Sequence, residues 1–489
     1  MSMQPERFDV VVIGGGPAGS TAATLSAMQG HKVLLLDRVQ HPRYSIGESL
    51  LPSTIHGIVP MLGVADEVKR ANFQKKFGGY CKWGASPDPW TFHFARALTD
   101  PTGYAYQVER SRFDAILINN AARKGVDVRQ QHAVSEIIEE RGRVTGVRFT
   151  DGSGKEGRAT SRVVVDCSGH TTRFHEQVGE RVFSKFFQNM ALFAYYEGAK
   201  RMPPPSDGNI LIIAFDMGWF WFIPLSPKLT SVGAVIGKEH AGILKKGNDV
   251  AMRELIERAP IIKDHLSTAK RVETGEYGEY RVRRDWSYMN TKFWKPGMML
   301  CGDAACFIDP IISTGVHLAT YSGLQAARSI NTVLRGDLEE EECFIEYERR
   351  YRREYNNFHD FLVGFYDWNK HESSYFWHAR RIVSSDDEAK TAFVRLVAGA
   401  NNDEQLYENP QEFAGAAISP GAPTGTAPPK PHGEGDGVTQ HLLGSEAAQM
   451  LAQASFGRER ERRVAVEKPL FEGGLVPSLD GFHWRRSAS

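Results

Sequence analysis

Three short stretches of this 489-residue chain carry residue types and spacings that suit chemistry. The first is Gly14-Gly15-Gly16-Pro17-Ala18-Gly19, which follows a β-branched run over residues 8–13 and precedes an Ala-rich stretch closed by Gly30. A second apolar run, residues 32–36, then ends in Asp37. This order predicts a strand, a helix and a second parallel strand. Gly14 permits the tight turn, Gly16 lets backbone approach a pyrophosphate, and Gly19 lets helix and strand pack closely, while the helix N-terminus offers N–H groups and a positive dipole end. Asp37 would accept the ribose hydroxyls of a dinucleotide, NAD or FAD. The second stretch is Gly218-Trp219-Phe220-Trp221-Phe222-Ile223-Pro224, whose alternating rings predict a strand with aromatic residues on both faces, ended by Pro224. The third is the pair Lys75-Lys76, which on physics alone reads as a solvated patch.

Composition narrows the partners. Lys plus Arg and Asp plus Glu both total 59, so no global field draws the chain to nucleic acid or to an anionic membrane. Five cysteines without a CxxC pair suggest neither a disulfide framework nor a zinc site, hence no metal and a reducing compartment. The first residues lack a basic region and a cleavage site, and the least polar later stretch, residues 298–327, carries Asp303, Asp309 and His317. A cytoplasmic protein that does not span a membrane is expected.

Two further segments fix the fold class. Val163-Val164-Val165-Asp166-Cys167-Ser168-Gly169 and Met298-Met299-Leu300-Cys301-Gly302-Asp303-Ala304-Ala305 both read as a buried strand running into a small-residue turn. Their order after the glycine loop resembles the two-domain FAD proteins of the aromatic hydroxylase type. That resemblance implies an α/β fold: a Rossmann-type FAD-binding domain, an inserted and mostly antiparallel substrate sheet, and a helical C-terminal region. It also implies that Gly302 and Asp303 meet the flavin ribityl chain, that Arg110 lies near the FAD at the start of a helix, and that Arg43 belongs to the cofactor site.

Within that fold, Trp-Phe-Trp-Phe-Ile-Pro matches the W-x-W-x-I-P signature of the flavin-dependent halogenases. Arg43-Tyr44-Ser45-Ile46-Gly47-Glu48-Ser49-Leu50-Leu51-Pro52, Phe73-Gln74-Lys75-Lys76-Phe77-Gly78-Gly79 and Asp309-Pro310-Ile311-Ile312-Ser313-Thr314-Gly315-Val316-His317 are similar to that family too. The resemblance is to the subgroup that halogenates phenolic or pyrrolic rings tethered to carrier proteins. It implies a flavin C4a-hydroperoxide that oxidises chloride or bromide to hypohalous acid, and a lysine, Lys76, that aims this oxidant. Glu48 would polarise the oxidant or accept the ring proton; as a bland alternative it is a helix-capping carboxylate. Thr314 and Gly315 would cradle the halide, and Trp219, Trp221 and Pro224 would wall the tunnel. With only one dinucleotide fingerprint, FADH2 is expected from a separate flavin reductase. A flavin hydroxylase, a geranylgeranyl-reductase-like oxidoreductase and a catalytically silent FAD-binding recruitment protein are the other readings.

The expected organisation places the FAD-binding domain at residues 1–180 and 296–337, the substrate sheet at 181–295 and a helical region at 338–400. Residues 401–489 read as linker and tail, because 415–437 are dense in Gly, Pro, Ala and Thr. Arg349, Arg350, Arg352 and Arg353 are expected either to form salt bridges on a helical face or, in a sharper reading, to dock an acidic carrier protein.

Overall fold

A computed structural model describes residues 5–83, 89–96, 98, 102–284, 287–367, 394, 396–399 and 469–487. At its base lies a six-stranded sheet in the order Trp294–Lys295, Met298–Leu300, Val163–Asp166, Val10–Ile13, Val33–Asp37, Asp127–Gln130. Five strands are parallel, with Val10 opposite Val33 and Val163, and only Trp294–Lys295 runs antiparallel, at the edge. Strands buried on both faces need continuous apolar runs, and Val10–Ile13 and Val163–Val165 supply them with every residue buried. Ligands of such sheets bind beyond the carboxyl ends of the strands, where Gly14, Asp37, Cys167 and Cys301 follow the four central ones.

Across this base sits an eight-stranded sheet built on Asn189–Glu197, Leu229–Gly237, Gly218–Pro224 and Ile210–Phe215, paired antiparallel in that order. It does not stay within residues 181–295. Gly78–Lys82 pairs parallel with Ile210–Phe215, and Trp90–His93 extends the edge, because main-chain pairing selects strands by position in space rather than in sequence. The period-2 alternation divides its aromatic side chains. Trp219, Trp221, Phe193 and Tyr195 face the core shared with the FAD-binding half. Phe220 and Phe222 face a second core covered by the helices Asn248–Glu257 and Pro260–His265.

Two long helices close the base. Gly315–Arg335 is buried along most of its length, and Glu340–Asp367 packs against it. The arginines of the second helix divide between the interior and the surface. Arg350 is buried, bonded to Glu346 at 2.5 Å and to the Leu475 carbonyl at 2.8 Å. Arg352 bonds Glu348 and the carbonyls of Asn290 and Thr291, and the Arg349 guanidinium stacks over Phe471 at 4.1 Å. Arg350 and Arg352 are thus committed to internal partners, whereas Arg349 and Arg353 are exposed. The expected linker over 415–437 lies outside the described residues.

The end of the chain folds back as a hairpin, Leu475–Pro477 against Trp484–Arg486. The Trp484 side chain is fully buried; its Nε1 donates to Ser329 Oγ at 2.9 Å and its backbone N–H donates to Thr332 Oγ1 at 2.8 Å. The described part of the tail, residues 469–487, thus completes the base. Trp484→Ala is expected to cost about 3–5 kcal/mol through the cavity it leaves, measured by urea unfolding; a change within ~0.5 kcal/mol would show that the hairpin is not part of the folding unit.

Candidate active site

The glycine loop has the stereochemistry a dinucleotide requires. Gly14 has φ +98°, and a Cβ there would lie 2.5 Å from the Cys167 carbonyl oxygen; a Cβ on Gly19 would lie 1.9 Å from the Gly14 carbonyl oxygen. Gly16 caps the helix Pro17–Ala27, and beside it stands Arg43, whose guanidinium lies 3.4 Å from where a Cβ of Gly16 would be. Open helix N–H groups and an arginine fit a pyrophosphate. Asp37 is held by the backbone N–H groups of Gly15 (2.7 Å) and Val39 (2.9 Å) and by His41 Nε2 (3.2 Å), which together keep its carboxyl below the usual range despite burial. Asp303 follows Gly302 at the far side, half-buried, with its carboxyl raised to about 6 by burial against the pull of Arg110 and Arg181. These residues fit FAD.

Arg110 does something the sequence did not suggest. Its Nε and Nη2 bond both oxygens of the fully buried Asp114 at 2.8 and 2.9 Å, and Nη1 donates to the Ile46 carbonyl at 2.5 Å. It therefore clamps the turn that presents Glu48. Gly47 is part of that clamp: its φ is +99°, and a Cβ would come within 2.8 Å of the Arg110 guanidinium.

Glu48 is not a helix cap. The chain is extended there: Val108 N–H donates to the Glu48 carbonyl at 2.7 Å, Leu50 N–H donates to the Tyr106 carbonyl at 2.9 Å, and the helical turn Ser53–Ile58 begins only afterwards. The strand Ala105–Gln107 pairs on its other side with Gln74–Lys76, so three segments far apart in sequence lie side by side. Lys76 is opposite Ala105, whose small side chain lets the lysine reach across. Its Nζ donates to Ser49 Oγ at 2.9 Å and to the Leu50 carbonyl at 3.2 Å, with the Phe94 ring 5.4 Å away. Lys75 points outward over Tyr104, so the two lysines are opposites: one solvated, one buried with 2% exposure.

Burial sets the electrostatics. Desolvation lowers the Lys76 amine from 10.5 to about 7. Desolvation also raises the Glu48 carboxyl from 4.5 to about 7, against the Tyr195 hydroxyl that donates to it at 2.7 Å, the Ser231 hydroxyl and the Arg110 charge. Ser231 in turn accepts from Trp221 Nε1 at 3.1 Å, and Trp219 Nε1 donates to the Tyr366 hydroxyl at 2.6 Å. Both tryptophans are buried side by side, ring centroids 6.1 Å apart, and Pro224 closes their strand opposite Thr230. Thr314 is fully buried with a hydroxyl that has no hydrogen-bond partner among the described residues, and Gly315 begins the long helix against the Phe307 ring. Among the described residues, no cluster of three or more His, Cys, Asp or Glu side chains forms a metal site, and no helix is long and apolar enough to cross a membrane. Ser49, Tyr44, Tyr195 and Ser231 join the site without any short-range signal in the sequence.

The base, the glycine loop and the arginine beside it define an FAD-dependent enzyme with a buried amine and carboxyl in the aromatic half. The chain belongs to the tryptophan halogenase family, which it matches over residues 9–103 and 95–424, and it is an FAD-dependent halogenase. It is 32% identical over 407 residues to a tryptophan 2-halogenase of Chondromyces crocatus, covering 81% of this chain and 76% of that one. It is 34% identical over 336 residues to a brominase of 1H-pyrrole-2-carbonyl peptidyl-carrier protein from Pseudoalteromonas luteoviolacea, covering 68% and 79%. The solved structure of the myxobacterial chondrochloren halogenase CndH, described as a new variant of FAD-dependent halogenases, superposes with TM-score 0.76 at 50% identity, over 98% of this chain and 100% of that one. The hydroxylase, reductase and silent-protein readings are thereby set aside.

The raised carboxyl and lowered amine make opposite contributions to stability. Between its ordinary 4.5 and about 7, Glu48 keeps in the folded chain a proton that the unfolded chain has released, so its contribution falls as pH rises through that window. Lys76 is deprotonated from about 7 in the folded chain but only near 10.5 when unfolded, so its contribution rises over that range. Glu48→Gln is expected to gain on the order of 1–3 kcal/mol over the parent at about pH 8 and nothing at about pH 4, read from urea unfolding at both. A difference that is the same at the two pH values would mean that Glu48 ionises normally.

Proposed function

We propose that the enzyme uses FADH2, delivered by a separate flavin reductase, to chlorinate a tyrosyl or other phenolic ring tethered to a peptidyl carrier protein during natural-product biosynthesis. The observation that carries the reading is the desolvated Lys76, held by Ser49 and Leu50, which keeps one N–H to offer when protonated and a free lone pair when neutral. Bound reduced FAD would supply, with oxygen, the oxidising power that turns halide into hypohalous acid. What the chain must add is confinement, aim and proton control. Lys76 aims: an amine near neutrality donates to the oxidant's oxygen or takes up the halogen as a chloramine. Glu48 handles the proton, and the Trp219 and Trp221 rings keep solvent and substrate apart from the cofactor. The partnerless Thr314 hydroxyl at a helix start suits a halide. The carrier-tethered substrate draws support from the pyrrole brominase relative, whose substrate is named as carrier-bound.

The test is intact-protein mass spectrometry of a tyrosyl-loaded carrier protein incubated with the enzyme, a flavin reductase and oxygen. Replacement of one hydrogen by one chlorine, only when chloride is present, is expected. Lys76→Ala should lower it roughly a hundredfold or more while FADH2 oxidation continues. Chlorination that survives the substitution would remove Lys76 from the mechanism, and a carrier that stays unmodified while the free phenol is chlorinated would remove the tethered substrate.

A further inference from the structure

A line of hydroxyls leads from the half-buried Tyr44 into Glu48. The Tyr44 hydroxyl lies 2.7 Å from that of Tyr195, and Tyr195 donates at 2.7 Å to Glu48 Oε1. Exposure falls along it: Tyr44 is half-buried, Tyr195 is wholly buried, and Glu48 is 2% exposed. Two phenols inside a protein often do no more than satisfy one another. Here the inner one ends on a carboxyl whose other oxygen, Oε2, is buried and has no hydrogen-bond partner among the described residues, with the Ser231 hydroxyl the nearest further donor to the carboxyl. The line is also held stiffly: Tyr277 packs on Tyr195 with centroids 4.4 Å apart, and the Arg281 guanidinium lies 3.7 Å over the Tyr44 ring.

We propose that Tyr44 and Tyr195 are a proton-delivery line that recharges Glu48 from solvent during halide oxidation, an inference that rests on the function proposed above. Halogenation needs such a line. Reduced flavin, oxygen, a halide ion, one proton and an aromatic C–H become oxidised flavin, an aromatic carbon–halogen bond and two waters, so each turnover consumes a proton. That proton must reach a chamber whose aromatic walls exclude bulk water. The polarity of the hydrogen bonds is inward. Glu48 gives its proton to the oxidant's oxygen; Tyr195 then passes its own to Oε1, takes the one from Tyr44, and Tyr44 takes one from water. Four O–H bonds break and four form, from water through the two phenols and Glu48 to the oxidant. The charged and titratable groups that face Glu48 are Arg110 and Glu109 at the start of their helix, Tyr195 and Ser231 from the large sheet, and Tyr44 and Tyr277 beside them.

Tyr195→Phe cuts the line and Tyr44→Phe cuts it one step further out. With FADH2, oxygen and chloride supplied, both variants are expected to lose about tenfold in hypochlorous acid formation, trapped by a small diketone, and to recover toward the parent rate as imidazole buffer is raised at constant ionic strength. A loss that buffer does not repair, or no loss, would overturn the proposal. A second readout needs no cofactor. The infrared carboxyl band of Glu48, assigned by its disappearance in Glu48→Gln, should titrate near neutrality in the parent protein and at higher pH in Tyr195→Phe, because the donor that stabilises the ionised form is gone; an unmoved midpoint also overturns the proposal. If the parent protein forms no hypochlorous acid at all while this midpoint moves, the function reading has failed and the Tyr195–Glu48 contact has not.

Discussion

One buried ion pair governs the site. Arg110 and Asp114 lie a turn apart on the same helix, and their mutual bidentate contact leaves the guanidinium's remaining edge to hold the Ile46 carbonyl. Breaking such a pair by removing one partner strands a buried charge, at a cost of roughly 3–5 kcal/mol. The turn it holds carries Glu48 and Ser49, and Ser49 in turn holds Lys76. The amine and the carboxyl thus take their positions from the same clamp without touching one another, which lets each be tuned by its own surroundings. Glu48 is raised by burial against the pull of Tyr195, Ser231 and Arg110, and Lys76 is lowered by burial against Cys81.

The large sheet sets the other constraint. Its strand Gly218–Pro224 must present two tryptophans to one side and two phenylalanines to the other, and the partner strand accommodates this by placing Gly233 opposite Trp221, where a Cβ would lie 2.2 Å from the indole. The tryptophan lies against the partner strand instead of standing away from it, and its Nε1 reaches Ser231 two residues further along. The same sheet places Tyr195 over Glu48, so the wall and the proton chemistry share one scaffold.

What could be read from the sequence was what is contiguous in it. The glycine loop carries its whole stereochemical demand within six residues, and the alternation of Trp219 to Phe222 states its two faces directly. Lys76 was legible only through resemblance, because its partners Ser49 and Leu50 come to it across the strand Ala105–Gln107, and nothing near Lys76 distinguishes it from Lys75. Tyr44 and Tyr195 are separated by 151 positions and meet only once the two sheets are stacked. Of the arginines after residue 348, charge density alone could not say which turn inward: Arg350 and Arg352 are taken up by Glu346, Glu348 and the returning tail, as the salt-bridge reading expects, while Arg349 and Arg353 stay exposed.

The docking of Trp484 between Ser329 and Thr332 also bears on how the protein is made. The strand Val10–Ile13 and the tryptophan that seals the same domain lie more than 470 positions apart, so the ribosome must add that intervening length before the domain can close, on the order of a minute at ordinary elongation rates. Until Trp484 is added, the hydroxyls of Ser329 and Thr332 on the helix Gly315–Arg335 lack the indole and backbone donors that the finished fold gives them.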